Sequence, residues 1–262
     1  MGRYRRCQAA FCYSRPHQSL VALLLAAVVG LGLFVFAETR AASPLIRMAM
    51  FRNPVLSAGF AMSALVTTVV MATLVVGPFY LSRALGLYAA AVGLVMSSGP
   101  IVAALTGVPA GRFVDRLGPG LMSIVGLVGM AIGTCTLTML PTRSGVPGYI
   151  TPLIVITAGY ALFQAANNTG VMTSISPERR GVTSGMLNLS RNLGLITGAS
   201  VMGSVFALGS GTTNIMTAPP EAIATGMRIT FALAATLIVG ALAITMGSRG
   251  RATPHSLPRS RR

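Results

Sequence analysis

Charge is what this sequence has least of. Charged residues make up 9% of its 262 residues, against about 25% in an ordinary soluble domain. A globular chain of this length covers its core with a charged shell, and here there is too little charge to build one. Lysine and tryptophan are absent, and the only acidic residues are Glu38, Asp115, Glu178 and Glu221. Three cysteines exclude a disulfide framework. Cys7, Cys12 and His17 have no fourth ligand nearby to complete a metal site, and Cys135 reads as a small packed residue in an apolar run. The sequence holds no nucleotide-binding loop or catalytic triad, and its two histidines, His17 and His255, lie in the tails. An enzyme is therefore not expected, and no cofactor or metal is implied.

Apolar sequence is what it has in abundance: 53% hydrophobic residues and a mean hydropathy of +0.74. A helix needs about 20 consecutive apolar residues to cross the hydrocarbon core. Seven stretches meet that length: Ser19–Ala37, Val55–Leu81, Tyr88–Ala110, Leu121–Leu140, Tyr149–Thr173, Gly185–Leu208 and Thr225–Met246. The expected fold is an all-α integral membrane protein of about seven transmembrane helices. The first stretch follows a basic segment, but Glu38, Thr39 and Arg40 come after it instead of a small-residue cleavage site. It reads as a retained helix, not a signal peptide.

The 20 basic residues are all arginine. They sit in tails and short connections, without a basic stripe interleaved with aromatics, so anionic headgroups fit them better than nucleic acid. Counted on alternate sides of the seven spans, thirteen fall on one side and seven on the other. The richer side, which includes the C-terminal tail, is expected to be cytoplasmic in the plasma membrane. Four of the seven dissenters lie in the first 15 residues.

Four groups of residues stand out from the apolar background. The segment after the third span has the form G-x-x-x-D-R-x-G, with Gly111, Asp115, Arg116 and Gly118, and reads as a polar loop from Gly111 to Gly120. Gln164, Asn167 and Asn168 lie within a span. Amides in lipid must find partners, so they either bond between helices or line a cavity; Ser63, Thr67, Thr68, Ser97 and Ser98 are candidates to join them. Arg191 is flanked by Asn188 and Asn192 near a span end, which suits either an interfacial arginine or a gating role. The pairs Gly107/Gly111, Gly129/Gly133, Gly181/Gly185 and Gly194/Gly198 are small-xxx-small patterns that favour close helix packing. No Asp, Glu, Lys or His occupies the centre of a span. Such residues usually mark ion pathways, so the chain by itself offers no coupling carboxylate.

The Gly111–Gly118 segment resembles the cytoplasmic loop signature of the major facilitator superfamily in its weaker second copy, with Pro119 and Gly120 where the family has basic residues. The stretch Pro177-Glu-Arg-Arg-Gly181 through Gly185, Asn188, Arg191, Asn192 and Gly194 is similar to the penultimate-helix entry of that family's fourteen-helix drug:proton antiporter branch. The Pro78-Phe-Tyr-Leu stretch, with Gly86, Gly93 and Ser98-Gly-Pro100, is similar to it as well. The resemblance implies that residues 19–37 are a linker helix, 38–54 a cytoplasmic loop and 55–246 a six-helix C-terminal lobe. Residues 1–18 would then be a basic tail foreign to the family, and 247–262 a basic cytoplasmic tail. It further implies efflux of small amphipathic or cationic molecules by proton antiport in a full-length form. Here the chain would be a C-terminal fragment, working with a second lobe or as a homodimer. The competing readings are a non-transporting membrane protein, either a truncated product or an interaction subunit, and a seven-helix receptor, which lacks these signatures.

Overall fold

The computed structural model describes residues 29, 30, 32, 33, 36, 53–141, 144–211 and 218–250, with side chains through 247. Contacts divide the chain into two units, Met1–Ala49 and Met50–Arg262. In the first unit the described residues Val29, Gly30, Gly32, Leu33 and Phe36 are helical, and Val29, Leu33 and Phe36 are exposed. The basic tail 1–18, most of the linker helix and of the 38–54 loop, and the end of the C-terminal tail lie outside the described residues. So do Cys7, Cys12, His17 and His255.

The second unit is a bundle of six long helices: α1 (Pro54–Phe79), α2 (Ala89–Leu117), α3 (Pro119–Thr138), α4 (Gly145–Thr173), α5 (Arg180–Gly209) and α6 (Pro220–Gly250). No strand occurs among the described residues. All six are long and apolar enough to cross a bilayer, which satisfies their backbone polar groups internally. Asn53 starts α1 by accepting the Val55 N–H at 3.0 Å, and Pro54 takes the first helical position, where a missing N–H costs nothing. Pro78 lies inside the last turn of α1 and can donate no helical hydrogen bond. The next residues, Tyr80–Ala84, widen into a π-helical turn.

Each helix runs past at least one end of the apolar stretch that marks it in the sequence, although α3 stops at Thr138, short of Leu140. Hydropathy stops where the hydrocarbon core stops, whereas backbone hydrogen bonding continues into the headgroup region. The expected Gly111–Gly120 loop is the clearest correction. α2 continues through Leu117, and only Gly118 separates it from α3. Gly118 makes that junction at φ 85°, a backbone region that glycine enters without a Cβ penalty. Gly111, Asp115 and Arg116 therefore ride on the last turns of α2.

α1 is the hub of the bundle, packed against α4, α5 and α6, while α3 and α4 form the other extensive pair. More than half of the apolar window of α1 is buried inside the lobe, against only 6% of that of α2. The core is apolar: Val66, Val69, Leu127, Met130, Phe231 and Ile238 are completely enclosed. Where α3 meets α4, backbone touches backbone. A Cβ added to Gly126 would lie 2.7 Å from the Gly159 carbonyl oxygen, and one on Gly159 would lie 2.7 Å from that of Gly126.

Candidate functional site

α1, α4 and α5 enclose a polar seam in this apolar bundle. Buried Asn167 on α4 donates through Nδ2 to the Gly59 carbonyl at 3.1 Å and to Ser63 Oγ at 3.0 Å, both on α1. Buried Ser190 on α5 donates to the Phe60 carbonyl of α1 at 2.5 Å. Thr68 shares its hydroxyl between the Ala64 carbonyl of its own helix, at 2.9 Å, and the Gly194 carbonyl of α5, at 3.0 Å. The bonds to Gly59, Ser63, Phe60 and Gly194 each join two helices through a group that lipid cannot satisfy. Thr67, Ser97 and Ser98 instead return their hydroxyls to carbonyls of their own helices, as hydroxyls in apolar helices commonly do.

One residue beyond Asn167 the seam changes character. Asn168 is half-buried and accepts a hydrogen bond from the Arg191 guanidinium of α5 through Oδ1. Gln164, one turn before it, is also half-buried, and its side chain has no hydrogen-bond partner among the described residues. Tyr160 continues the row, facing Thr67 and lying within electrostatic reach of Arg191. The α4–α5 surface thus presents Tyr160, Gln164, Asn168 and Arg191 together. Because α5 begins at Arg180, Arg191 stands about three turns along its helix, deeper than the apolar stretch alone implied.

An open cleft of about 540 Å³ adjoins this row, lined by Asn168 and Met172 of α4 and by Arg180, Gly181, Ser184, Leu187, Asn188 and Arg191 of α5. Asn188 and Arg191, expected as neighbours, both border it. Asn192 is exposed and donates back to the Asn188 carbonyl at 3.0 Å, apart from the cleft. Arg180 and Ser184 were not expected there. Their signal in the sequence is the spacing of 180, 184, 188 and 191, which places four polar residues on one helical stripe.

The other expected positions separate into two groups. Gly194 and Gly198 bring α5 against the backbone of Ala64 and Thr68, and Gly133 brings α3 against Ile156 and Pro152 of α4. Gly129 is in ordinary contact with Gly159, and its tighter counterpart is Gly126. Gly107, Gly111, Gly181 and Gly185 face open space, with nothing within 4 Å of an added Cβ. The packing expected of them is not made within this lobe. Asp115 and Arg116 are exposed at the end of α2. Cys135, expected to be packed, is exposed on α3. Among the described residues no cluster of metal-ligating side chains occurs.

Comparison with known proteins places this arrangement. The model of the Major Facilitator Superfamily matches residues 19–199. The uncharacterized transporter YebQ of Escherichia coli is 32% identical over 185 residues, covering 70% of this chain and 40% of YebQ. The drug efflux pump JefA of Mycobacterium tuberculosis is 32% identical over 199 residues, 75% of this chain and 39% of JefA. The chain thus spans about two-fifths of the length of these relatives. Among solved structures, the nucleoside transporter NupG superposes with a TM-score of 0.64 at 19% identity, over 76% of this chain and 50% of that one. A bacterial homologue of the iron transporter ferroportin gives 0.57 at 15% identity, over 82% and 52%. At these identities the structural likeness speaks for the fold.

Proposed function

Because this chain belongs to the major facilitator superfamily, whose members are membrane transporters, we propose that its six described helices are the C-terminal lobe of a small-molecule efflux transporter. In the full-length form it would be of the multidrug type, driven by proton antiport. The observation that carries this reading is the partly exposed row of Gln164, Asn168 and Arg191 on an otherwise apolar α4–α5 surface. A surface that shows an apolar body and a few amides suits small amphipathic molecules, cationic ones only where a second lobe supplies the countercharge. JefA, Stp and the lincomycin resistance protein LmrB carry names of the same kind.

Proton coupling asks for a carboxylate within the membrane. Among the described residues the acids stand at helix ends: Asp115 in the last turn of α2, Glu178 before α5 and Glu221 at the start of α6. The coupling group would therefore come from a second lobe. The exposed apolar faces of α2 (Leu94, Ile101, Leu105) and α5 (Leu193, Ile196) are the surfaces such a lobe would cover. The arginine-rich ends and the C-terminus would face the cytoplasm of the cell membrane, against anionic headgroups. The second reading is a non-transporting membrane protein, such as an interaction subunit. It is favoured by the described spans, none of which carries an acidic residue at its centre.

The test is reconstitution. The purified chain is placed in proteoliposomes under an imposed pH gradient, alone and together with the N-terminal half of a two-lobe relative, and the movement of a cationic dye is followed. Dye export in either preparation supports the transporter reading. No export in both, while the intact relative exports dye in the same lipids, leaves the non-transporting reading.

A further inference from the structure

The cleft between α4 and α5 has a chemistry that an amphipathic or cationic substrate does not account for. Two of its eight lining residues are arginines, Arg180 and Arg191, and none is acidic. Arg180 is exposed at the mouth, and Arg191 is half-buried about three turns further in. A charged side chain at that depth in an apolar helix is costly unless it is paired. The hydrogen bond that Arg191 makes among the described residues goes to the neutral amide of Asn168. That bond orients the guanidinium without neutralising it and leaves most of its five N–H donors for another partner. Side chains on a helix lean toward its N-terminus, so Arg191 leans toward Asn188 and Ser184, which add amide and hydroxyl donors along the same stripe. Glu178 lies electrostatically close to Arg179 and Arg180 but does not line the cleft, so it leaves Arg191 without a carboxylate.

We propose that this cleft binds an anionic phosphate group, with Arg191 as the inner anchor and Arg180 at the entrance. The guanidinium fork matches phosphate oxygens through paired N–H donors. Asn168 fixes the fork, and Ser184 and Asn188 contribute neutral hydrogen bonds. A volume of about 540 Å³ holds a phosphate together with a small substituent. Two sources carry this chemistry, an anionic phospholipid headgroup that enters from the bilayer and a free phosphate that enters from water. The inference stands apart from transport: failure of dye export leaves it intact, and loss of phosphate binding leaves the transporter reading intact.

The experiment uses the full chain in detergent and in nanodiscs. Native mass spectrometry counts phosphatidylglycerol adducts against phosphatidylcholine adducts. Thermal unfolding is recorded with and without inorganic phosphate. The wild-type chain is expected to retain phosphatidylglycerol preferentially or to be stabilised by phosphate. R180Q and R191Q should each weaken that binding by about tenfold, the scale of a hydrogen bond to a charged group. R191K should recover only part of it, because lysine lacks the fork. Retention of phosphatidylglycerol unaffected by phosphate assigns the site to lipid, whereas stabilisation by phosphate alone assigns it to a free anion. Should R191Q fail to give a monodisperse protein, R180Q and S184A carry the test. R112Q removes the same charge from the end of α2, outside the cleft. Equal loss of binding in R112Q, or undiminished binding in R180Q and R191Q, overturns the proposal.

Discussion

Asn167 on α4 donates its side-chain N–H to Ser63 Oγ on α1 at 3.0 Å, and its second N–H lies within reach of the Gly59 carbonyl at 3.1 Å. A single buried amide thereby ties the hub helix to its neighbour at a point where no water competes. A Cβ on Gly59 would run into Val171 and approach Asn167 Oδ1 at 3.3 Å, so the absence of a side chain at Gly59 is what lets the amide in. Asn167→Ala is expected to lower stability by about 1–2 kcal/mol, the range for an interhelical polar contact in a membrane protein. Ser63→Ala should cost less, because the Gly59 carbonyl remains. Thermal or chemical unfolding in one detergent orders the two variants, and an equal or reversed order would contradict the arrangement.

Glycines on the same helices should differ sharply in tolerance. Gly126→Leu and Gly159→Leu each force a side chain into backbone of the facing helix, so α3 and α4 must separate, at a cost of about 1–3 kcal/mol or more for overpacking. Gly107→Ala and Gly181→Ala meet open space and should leave the unfolding midpoint of this chain unchanged or raise it slightly, by the gain in helix propensity. The same two changes, introduced where a second lobe is present, would reduce its association if that lobe packs on α2 and α5. Co-purification yield measures this.

The pair of Asn168 and Arg191 offers a direct electrostatic test. Asn168→Asp keeps the shape but converts a charge–amide hydrogen bond into an ion pair. Phosphate-class ligands should then lose affinity by about tenfold or more, because the arginine is neutralised before they arrive. Binding that is unchanged in Asn168→Asp would show that Arg191 is not the anchor.

At the far end of the bundle, the rings of Tyr80 and Tyr149 pack in a tilted pair with centroids 5.8 Å apart, and among the described residues neither buried hydroxyl has a hydrogen-bond partner. The Tyr149 hydroxyl also presses on Gly77, leaving no room there for a Cβ. Tyr149→Phe removes an unsatisfied polar atom while keeping the ring, so it should be neutral or stabilising by up to about 1–3 kcal/mol. Gly77→Ala should destabilise, and Tyr149→Phe should partly relieve that loss. A double-mutant cycle in the same unfolding assay reads the coupling.

The helices themselves were legible because membrane insertion is a one-dimensional problem. About 20 apolar residues suffice to specify a crossing, and all six stretches from Val55 onward lie on the helices found. Their ends were not legible, because hydropathy records the edge of the hydrocarbon core and not the last backbone hydrogen bond. For that reason Gly111, Asp115 and Arg116 sit on α2 instead of in a loop, and Arg180 and Arg191 share one helical stripe. The antiparallel order of helices did not disclose which glycines would touch. Gly126, outside the expected pairs, meets Gly159, while Gly107 and Gly181 meet nothing.

Composition and pattern alone thus determined that the chain lives in a bilayer, that it crosses as helices, and that Gln164, Asn167, Asn168 and Arg191 are its costly polar residues. Tertiary structure decided what each of them does. Asn167 and Asn168 are adjacent in sequence and turned about 100° apart on α4. One meets α1 and is locked into a buried hydrogen bond; the other meets Arg191 of α5 at the edge of an open cleft. Identical side chains acquire different roles because the neighbour on each helical face is set by packing, which no local stretch of sequence encodes. The scarcity of charge made the membrane evident, and the fold showed where one of the few charges, Arg191, sits half-buried in a cleft that no acidic residue lines.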